Sequence, residues 1–454
     1  MMFSWQEVQN ATNGVWLAKP QTDSCTAVID DSRKIVAGCI FVAVVGELSD
    51  GHAYIRQAVA GGAAAICVQH ISDEELAEFS GIGVLQVSDT LLAFQQLAAA
   101  NRRRFSIPVL AVTGSCGKTS SKEMCAAVFN ELYPEHVIKT QGNTNNHFGV
   151  PRNLLRIDDS VKAAVIEAGS NHPGEIKHLA SLIQPTCALI TCIGAAHLEF
   201  FKSLEGVAEE KGDVFQAVAK GGWAVMPYEC AGKDILLRHA EGLNVMTFGT
   251  QKGADVQAIY GGAVEGGYLL TLLRRDTGEH QHFVWGIGGE AQAGNAAGAA
   301  AVGIIHGLSL ARIAAGLQKC TLPGNRMKIA EIAGIRLIND AYNANPDSMA
   351  ASLKWFAEIS KNASSVKVVL GDMRELGENA LAAHEKTKAL AISLFGKENV
   401  ILVGELFAAI AGDVEHYMDV NAFASAVHFQ KDDWVFLKAS QGTGLFKFEG
   451  MIGG

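Results

Sequence analysis

Residues 111–124, "AVTGSCGKTSSKEM", combine the residue types that bind a phosphate group. The apolar run "VLAVT" precedes the first glycine of the turn, and the amphipathic run "SSKEMCAAVFNEL" follows the second, which predicts a strand, a tight turn and a helix. Gly114 and Gly117 allow the backbone to approach phosphate, and Lys118 adds a positive charge. The Thr119 hydroxyl can bind Mg²⁺, and the helix dipole favours an anion. The pattern predicts nucleotide binding, and the alternative is an ordinary structural turn.

An acidic and an imidazole side chain follow two later apolar runs. Glu167 ends "AAVIE", and His197 follows "CALITCIGAA". Open α/β sheets bind ligands at the carboxyl edge of their strands, so both side chains are expected at that edge. A Glu or His after a strand is also commonly a capping or solvated residue. Mg²⁺ prefers oxygen ligands, which makes His197 the less expected ligand on chemical grounds.

The elements that would position these side chains alternate along the chain. From residue 107 onward, apolar runs are separated by helical stretches, which indicates βαβ units and a parallel sheet. The proline of "FSIP" ends an Ala-rich helical stretch just after residue 104. After Pro323 and Gly324, the runs "SVKVVLGDM", "NVILVGE" and "WVFLKAS" predict a second α/β domain with its own sheet. We therefore predict three α/β domains, at residues 1–104, 105–323 and 324–454.

The overall composition argues against several classes of protein. A formal net charge of −10 in 454 residues disfavours nonspecific binding to nucleic acid or anionic membranes, which require a basic surface. The sequence has no strongly apolar run of about 18 residues to span a bilayer, and its start resembles no export signal. Its nine cysteines include no C-x-x-C pair, so neither a zinc ribbon nor a disulfide frame is indicated. These features predict a cytoplasmic protein without membrane insertion.

The short spacing within the glycine-rich turn carries a family resemblance. Only Ser115 and Cys116 separate its glycines, and T-G-S-C-G-K-T-S resembles the phosphate loop of the Mur ligases, the ATP-dependent amide-forming enzymes of peptidoglycan synthesis. The stretch from "DDSRKIV" to "AAAICV" resembles the uridine-diphosphate-binding domain of that family. It is followed in family order by "GNTNNHFGVPRNLL", "IEAGSNHPGEIKHL", "CIGAAHLEFFKSLEGVAEEKGDVF", "GNRMKIAEI", "NDAYNANPDSMAASL" and "LGDMRELGENALAAH". The resemblance covers almost the whole chain.

This resemblance implies both a fold and an activity. It implies an N-terminal UDP-muramoyl-peptide-binding domain, a central ATPase domain with the phosphate loop on a parallel sheet, and a C-terminal Rossmann-like ligase domain. The last two segments quoted above are characteristic of the branch that joins D-alanyl-D-alanine to UDP-N-acetylmuramoyl-tripeptide. ATP would convert the peptide carboxylate to an acyl phosphate, which the amine attacks, leaving ADP and phosphate. The expected enzyme is a monomer.

The resemblance also assigns roles around the ATP site. The residues expected to bind ATP are Gly114, Ser115, Cys116, Gly117, Lys118, Thr119, Ser120, Asn295, Arg326 and Asp340. Two Mg²⁺ ions are expected on Thr119, Glu167, His197 and Lys211, and the expected catalytic residues are Lys118, Glu167, His197 and Lys211. Lys211 would ordinarily be a solvated lysine on an amphipathic helix, but its distance after His197 matches the lysine that Mur ligases carbamylate with CO₂. A carbamate binds Mg²⁺ as a carboxylate does.

The expected substrate contacts lie in four polar segments. They are Asp31, Ser32, Arg33, Asp50, Gly51, His52, Asn143, Thr144, Asn145, Asn146, Tyr342, Asn343, Asn345 and Ser348. Polar clusters of this kind are also common turn formers. The chain departs from the family pattern in two places: "GGEAQAGN" lacks the histidine of the usual G-x-H-N sequence, and "LKASQGTG" has Gln441 in place of the arginine of K-G-S-R.

Other functions stay open at this point. A sister amide ligase that adds a diamino acid, or a folylpolyglutamate synthetase, would have a similar phosphate loop, although "YNANPDS" and "LGDMRELG" favour the D-alanyl-D-alanine branch. A nonenzymatic nucleotide-gated binding protein is the alternative from another class, and the set of Lys118, Glu167 and Lys211 argues against it. The third residue of the tripeptide, meso-diaminopimelate or lysine, also stays open.

Overall fold

The computed structural model describes residues 2–46, 49–324 and 326–452. Its strands are β1 (Phe3–Ser4), β2 (Val15–Ala18), β3 (Ser24–Cys25), β4 (Val28–Ile29), β5 (Ile40–Val42), β6 (Ala65–Val68), β7 (Gly83–Gln86), β8 (Val109–Thr113), β9 (Val137–Lys139), β10 (Ala163–Glu167), β11 (Cys187–Ile190), β12 (Trp223–Pro227), β13 (Asn244–Gly249), β14 (Val256–Val264), β15 (Gly267–Arg274), β16 (His280–Trp285), β17 (Lys328–Ile332), β18 (Ile335–Asn339), β19 (Val366–Gly371), β20 (Val400–Val403), β21 (Glu415–Tyr417) and β22 (Trp434–Lys438).

The helices lie between these strands. They are α1 (Trp5–Thr12), α2 (Ile55–Ala60), α3 (Asp73–Glu78), α4 (Thr90–Arg103), α5 (Lys118–Asn130), α6 (Gly149–Leu154), α7 (Glu175–Ile183), α8 (Leu198–Phe201), α9 (Leu204–Gln216), α10 (Lys233–His239), α11 (Glu290–Ile305), α12 (Leu310–Gln318), α13 (Pro346–Ile359), α14 (Ala380–Phe395), α15 (Glu405–Ile410) and α16 (Val420–Ala426). Across the parts of the chain that the structure describes, no helix is both long and apolar enough to cross a membrane.

Contacts divide the chain into two compact units. The first comprises residues 1–109, 138–168 and 178–184, and the second comprises residues 110–137, 169–177 and 185–454. The three predicted domains, with limits at residues 104 and 323, stay a prediction.

The first unit contains a five-stranded sheet in the order β2-β7-β6-β5-β4. Strands β4 to β7 run parallel, and β2 pairs with β7 in the antiparallel sense. Adjacent residues of β5 face opposite sides of the sheet: Ile40 lies in one apolar cluster and Phe41 in another. Cys67 and Ile66 of β6 divide in the same way. The sheet is therefore buried on both faces, as expected for parallel strands.

The second unit contains a large sheet in which β16-β15-β14-β13-β12-β11-β8 follow one another. Strands β8 and β11 to β14 pair in parallel, while β14, β15 and β16 form antiparallel hairpins. All five residues of β8 are buried, which is typical of a central parallel strand. Helix α5 begins directly beyond the turn that follows β8, so the sequence-predicted strand, turn and helix are all present.

A separate six-stranded sheet in the second unit has the order β17-β18-β22-β19-β20-β21. Its strands are parallel except for β17, which forms a hairpin with β18. One apolar cluster around Phe356 and Phe436 covers one face, and another around Phe423 and Val435 covers the other. The alternation of strands and helices after residue 107 thus confirms the predicted α/β class with parallel sheets.

Candidate active site

The glycine-rich turn joins β8 to α5. Gly114 and Gly117 have φ values of 143° and 77°, in the region of backbone conformation that favours glycine. A Cβ atom on Gly114 would lie 2.1 Å from Thr191 Oγ1, and one on Gly117 would lie 2.5 Å from Asn295 Oδ1. Both glycines are therefore required by backbone conformation and by the close approach of neighbouring side chains.

The segment after β11 holds this turn in place. Ser115 Oγ donates to the Gly194 carbonyl at 3.0 Å and accepts from the Gly194 N–H at 2.9 Å. The Ser115 N–H donates to the Cys192 carbonyl at 3.0 Å. Lys118 Nζ donates to the Gly114 carbonyl at 2.7 Å, so its charge lies at the turn. A glycine-rich turn between a buried parallel strand and a helix, with a lysine at the helix start, defines a P-loop nucleotide-binding protein.

Arg326 contacts the beginning of α5. Its Nη2 atom donates to Thr119 Oγ1 at 3.2 Å, and its guanidinium lies 3.9 Å from the centre of the Tyr342 ring. The neighbouring Met327 N–H donates to Asp340 Oδ1 at 3.1 Å. The structure therefore brings Arg326 to Thr119, 207 residues earlier in the chain, and places Tyr342 and Asp340 beside the same segment.

Asp340 is buried beside a lysine that sequence reasoning did not select. Lys438 Nζ lies 2.6 Å from Asp340 Oδ2, and Ser352 Oγ donates to the same oxygen at 2.7 Å. Both members of the ion pair are nearly inaccessible to solvent. Removal of either would leave a buried charge without its partner, which is costly.

Asn295 lies in α11 and contacts α5. Its Oδ1 atom accepts from Ser121 Oγ at 3.2 Å, and its amide nitrogen donates to Gln292 Oε1 at 3.0 Å. Ser120, the last predicted residue of the phosphate loop, is buried in α5. Asn295 therefore lies at the glycine-rich turn despite the absence of the family's histidine beside it.

Lys211 lies in α9 and is 1% exposed. Its Nζ atom donates to Ser170 Oγ at 2.6 Å. Burial, followed by the nearby positive charge of Lys118, lowers the pKa of Lys211 to about 7. The adjacent Glu210 carboxylate accepts from the Gly174 N–H at 2.6 Å. The Lys211 amine is therefore held by a neutral hydroxyl, and its unprotonated form is accessible near neutral pH.

His197 precedes α8 and lies near a second residue that sequence reasoning missed. His197 Nδ1 and Glu375 Oε2 are 2.6 Å apart. The His197 side chain lowers the pKa of Glu375. Glu375 belongs to "LGDMRELG", a segment that resembles the family, but the sequence pattern predicts no side-chain role for it. The contact is consistent with Glu375 orienting the imidazole.

The polar segment before α13 has a clear structural role. Asn345 Oδ1 accepts from the Ser348 N–H at 2.8 Å, and Ser348 Oγ accepts from the Asn345 N–H at 3.0 Å, which together cap α13. Asn343 Oδ1 accepts from the Ala344 N–H at 2.9 Å. These contacts stabilise the turn and helix, and a substrate role stays a prediction.

Glu167, at the end of β10 in the first unit, is 1% exposed. Asn145 Nδ2 donates to Glu167 Oε1 at 2.8 Å, and the Glu167 N–H donates to Thr140 Oγ1 at 2.9 Å. A predicted metal ligand and a predicted substrate contact are therefore direct neighbours.

The rest of the segment 143–146 is tied to α6. Asn146 Oδ1 accepts from the Gly149 N–H at 2.9 Å. The side chain of Asn153 donates to the Thr144 carbonyl at 3.0 Å. The Asn143 carbonyl accepts from the Asn145 N–H at 2.8 Å. This network fixes the loop that carries Asn145.

The segment 31–33 forms a compact polar turn at the surface of the first unit. Asp31 Oδ1 accepts from Arg33 Nε at 2.8 Å, which lowers the pKa of Asp31 to about 2. Ser32 Oγ donates to Gln57 Oε1 at 2.9 Å. The guanidinium of Arg33 is largely exposed and accessible to an anionic ligand.

The segment 50–52 forms a second polar turn. A Cβ atom on Gly51 would lie 2.6 Å from the backbone of Val44, so the close approach of two chain segments requires glycine. Asp50 Oδ1 lies 2.6 Å from His52 Nδ1, and His52 Nε2 accepts from the Gln69 N–H at 3.0 Å. Both ring nitrogens of His52 thus have partners, one within the turn and one at Gln69.

Known proteins resemble this chain along most of its length. Residues 112–303 match the Mur ligase middle domain, and residues 325–441 match the glutamate ligase domain of Mur ligases. The UDP-N-acetylmuramoyl-tripeptide–D-alanyl-D-alanine ligase of Escherichia coli (strain K12) is 37% identical over 410 residues, which cover 87% of this chain and 86% of the relative.

Solved structures agree with the sequence matches. A crystal structure of MurF from Acinetobacter baumannii has a TM-score of 0.87 and 29% identity, and covers 99% of this chain and 98% of its own. MurF ligase from Thermotoga maritima, in complex with ADP, has a TM-score of 0.77 and 25% identity, with 94% and 96% coverage. The chain belongs to the Mur ligase family, among the UDP-N-acetylmuramoyl-tripeptide–D-alanyl-D-alanine ligases.

Proposed function

We propose that this protein joins D-alanyl-D-alanine to UDP-N-acetylmuramoyl-tripeptide, converting ATP to ADP and phosphate. The relative in Escherichia coli is named for this activity. The observation that carries the proposal is the buried Lys211, with its lowered pKa and its hydroxyl partner, in the same unit as the phosphate loop. A simple nucleotide-binding protein has no need for a buried amine whose hydrogen-bond partner is a neutral hydroxyl.

The phosphate loop would bind and orient the phosphates of ATP. The backbone N–H groups at the start of α5 and the Lys118 ammonium supply positive charge to the transferring group. The structure of the Thermotoga maritima relative in complex with ADP supports a nucleotide in this family. The terminal phosphoryl group would pass to the peptide carboxylate, and the dipeptide amine would then attack the acyl phosphate.

Arg326 is proposed to contact the nucleotide, with Asp340 acting through it. Tyr342 stacks against the guanidinium, and Asp340 accepts from the neighbouring Met327 N–H. Asp340 Oδ2 is already engaged by Lys438, so this carboxylate is better suited to hold the backbone near Arg326 than to bind phosphate. Asn295 is proposed to contact ATP from its place beside Gly117.

Mg²⁺ is also part of the proposal, with two ions. The Thr119 hydroxyl, the buried Glu167 carboxylate and a carbamate on Lys211 are oxygen donors of the kind Mg²⁺ prefers, and His197 is proposed as a further ligand. Bound Mg²⁺ would neutralise the crowded charge of phosphates and carboxylates.

The carbamate on Lys211 would form by attack of the neutral amine on CO₂, with release of a proton. A pKa of about 7 leaves a substantial fraction of neutral amine under ordinary conditions, which the usual lysine pKa would not. The Ser170 hydroxyl lies within hydrogen-bonding distance of the reacting nitrogen. These contacts support carbamylation on chemical grounds.

The polar turns of the first unit are proposed to bind the nucleotide-sugar part of the substrate. The exposed guanidinium of Arg33, held at its base by Asp31, suits a diphosphate. Asn145 and its neighbours offer amides to sugar and peptide oxygens. A three-domain, monomeric and cytoplasmic enzyme remains part of the proposal.

A sister ligase is the second candidate, since a folylpolyglutamate synthase from Mycobacterium tuberculosis has a TM-score of 0.58 at 18% identity. Likeness at that level concerns the fold alone, so substrate choice must be measured. The purified protein would be given ATP, Mg²⁺ and pairs of substrates, and phosphate release would be followed. The pairs are UDP-muramoyl-tripeptides, with diaminopimelate or lysine, plus D-alanyl-D-alanine; UDP-muramoyl-dipeptide plus a diamino acid; and folate plus glutamate.

We expect phosphate release only with a tripeptide and D-alanyl-D-alanine together. Lys118→Ala provides the control, because its loss removes the charge at the turn and should abolish turnover without unfolding the protein. Release with the dipeptide or folate pair, or near-normal turnover by Lys118→Ala, would contradict the assignment.

A further inference from the structure

Two cysteines meet at the phosphate loop, a feature that the ligase reaction does not require. Cys116 lies between the two glycines of the turn, and Cys192 follows β11. Their Sγ atoms are 2.8 Å apart, and the Cys116 N–H donates to Cys192 Sγ at 3.2 Å. Both residues are half-buried, whereas six of the other seven cysteines are buried. The two sulfurs are therefore close enough to bond to each other once one of them is oxidised.

The two thiols differ in their ability to react. The hydrogen bond from Cys116, together with the positive charge of Lys118, lowers the pKa of Cys192 despite its burial. By contrast, burial raises the pKa of Cys230, the remaining half-buried cysteine, to about 11. Because the thiolate is the nucleophile, Cys192 is the thiol that would react first.

We propose that Cys116 and Cys192 are a site of reversible oxidation, at which a peroxide converts the pair to a disulfide that impairs nucleotide binding by the phosphate loop. The sulfurs need to approach by about 0.8 Å to reach the S–S bond length of about 2.05 Å. The effect on nucleotide rests on the proposed function, whereas formation of the disulfide does not.

The oxidation proceeds in two balanced steps. Cys192 sulfur attacks one oxygen of hydrogen peroxide, the O–O bond breaks, and the sulfenic acid and water form. Cys116 sulfur then attacks the sulfenic sulfur, the S–O bond breaks, and a second water leaves with the thiol proton. Two thiols supply two electrons to one peroxide, and a dithiol reductant reverses the reaction.

The consequence for the loop follows from its geometry. Cys116 lies next to Gly117, which tolerates little displacement because Asn295 lies so close. A covalent link would tie the turn to the end of β11 and pull its backbone out of the arrangement that presents N–H groups to phosphate. Bound nucleotide would in turn slow the oxidation by covering the turn.

Peptide mapping of the full-length protein tests the disulfide directly. The protein would be treated with hydrogen peroxide, alkylated and digested with trypsin without reduction. We expect the fragments 105–118 and 178–202 to be linked. Fragment 178–202 also contains Cys187, so Cys192→Ser, which retains a hydrogen-bond acceptor for the Cys116 N–H, must abolish the link. No link in the wild type, or a link that persists in Cys192→Ser, would overturn the proposal.

ADP binding by calorimetry tests the consequence. We expect peroxide to weaken ADP binding at least tenfold in the wild type, dithiothreitol to restore it, and Cys192→Ser to bind ADP equally well before and after peroxide. Cys230→Ser is the matched control and should behave like the wild type. A linked protein that binds ADP normally would refute the effect on the loop. If Cys230→Ser kept its ADP binding after peroxide, Cys230 would belong to the oxidised pair and the proposed pair would be wrong. Failure of the reduced wild type to bind ADP would contradict the proposed function instead, and leave the mapping result intact.

Discussion

Lys211 and Lys438 are both buried lysines of the second unit, but their amines face different partners. Lys438 Nζ lies 2.6 Å from the carboxylate of Asp340. Lys211 Nζ lies at the same distance from the hydroxyl of Ser170, and its pKa is lowered to about 7. Burial alone therefore does not make a lysine reactive.

The difference separates a lysine that stabilises the fold from a lysine that can act as a nucleophile. A carboxylate compensates the charge of a buried ammonium and produces an ion pair whose two members depend on one another. A hydroxyl offers no such compensation, so the neutral amine becomes accessible and can act as a nucleophile. Lys438 thus fits a role in holding Asp340, and Lys211 fits a role in forming a carbamate.

Replacement of Lys211 should have the largest effect on activity, and it is the strongest test of the different roles of the two lysines. Lys211→Ala should lower phosphate release, with both substrates present, by about a hundredfold or more, since one stabilising group in a site typically contributes that much. Short carboxylic acids such as acetate should restore part of the activity by occupying the place of the carbamate. The exposed Lys220 gives the control variant Lys220→Ala, which should retain full activity. Substantial activity of Lys211→Ala without added acid would remove the proposed role.

Replacement of Lys438 should lower the free energy of unfolding more than replacement of Lys211 does. Lys438→Met should lower the free energy of unfolding by about 3–5 kcal/mol, because Asp340 would keep a buried charge without its partner. Lys211→Met should have little effect or stabilise, since methionine replaces an amine that gains little from ionisation. Urea unfolding measures both variants. Addition of Asp340→Asn to Lys438→Met should recover part of the loss, and equal losses in the two single variants would make the comparison invalid.

The lowered pKa of Lys211 should make the free energy of unfolding depend on pH. The unfolded chain binds a proton at this lysine up to its ordinary pKa of 10.5, whereas the folded protein releases it near 7. Below pH 7 the lysine is protonated in both states, so the folded protein bears the full cost of burying its charge. Between pH 7 and 10.5 that cost decreases, and the free energy of unfolding therefore rises by about 1.4 kcal/mol per pH unit. Urea unfolding of the wild type and Lys211→Met in CO₂-free buffer at pH 7, 8 and 9 measures this difference. A constant difference between the two proteins would argue against the lowered pKa.

Removal of the hydroxyl partner should have the smallest effect. Ser170→Ala deletes one hydrogen bond to the Lys211 amine, worth about 1 kcal/mol, and should lower activity roughly fivefold. Added bicarbonate should reduce the defect, because a higher CO₂ concentration compensates for a less well-positioned amine. Ser181→Ala, at an exposed position in α7, is the matched control. A defect that bicarbonate leaves unchanged would indicate a purely structural role for Ser170.

Local sequence patterns were sufficient for part of the site. The apolar run, the glycines and Lys118 predicted the strand, the turn and the helix, and the structure contains all three. These features depend on residues within a short segment, where backbone conformation and hydrophobic pattern act directly. The same reasoning did not select Ser170 or Glu375, because a hydroxyl or carboxylate in a polar loop carries no local sign of its partner.

The sequence by itself therefore determined the α/β class, the phosphate loop and, through resemblance, the family. Tertiary structure decided what each buried lysine faces: Ser170 is 41 residues from Lys211, and Asp340 is 98 residues from Lys438. The order of strands in two sheets brings these partners together, and side-chain burial then sets their chemistry. Hydrophobic periodicity specifies which face of an element is buried, but it does not specify which distant polar group will meet a lysine there, because that depends on the packing of the whole unit.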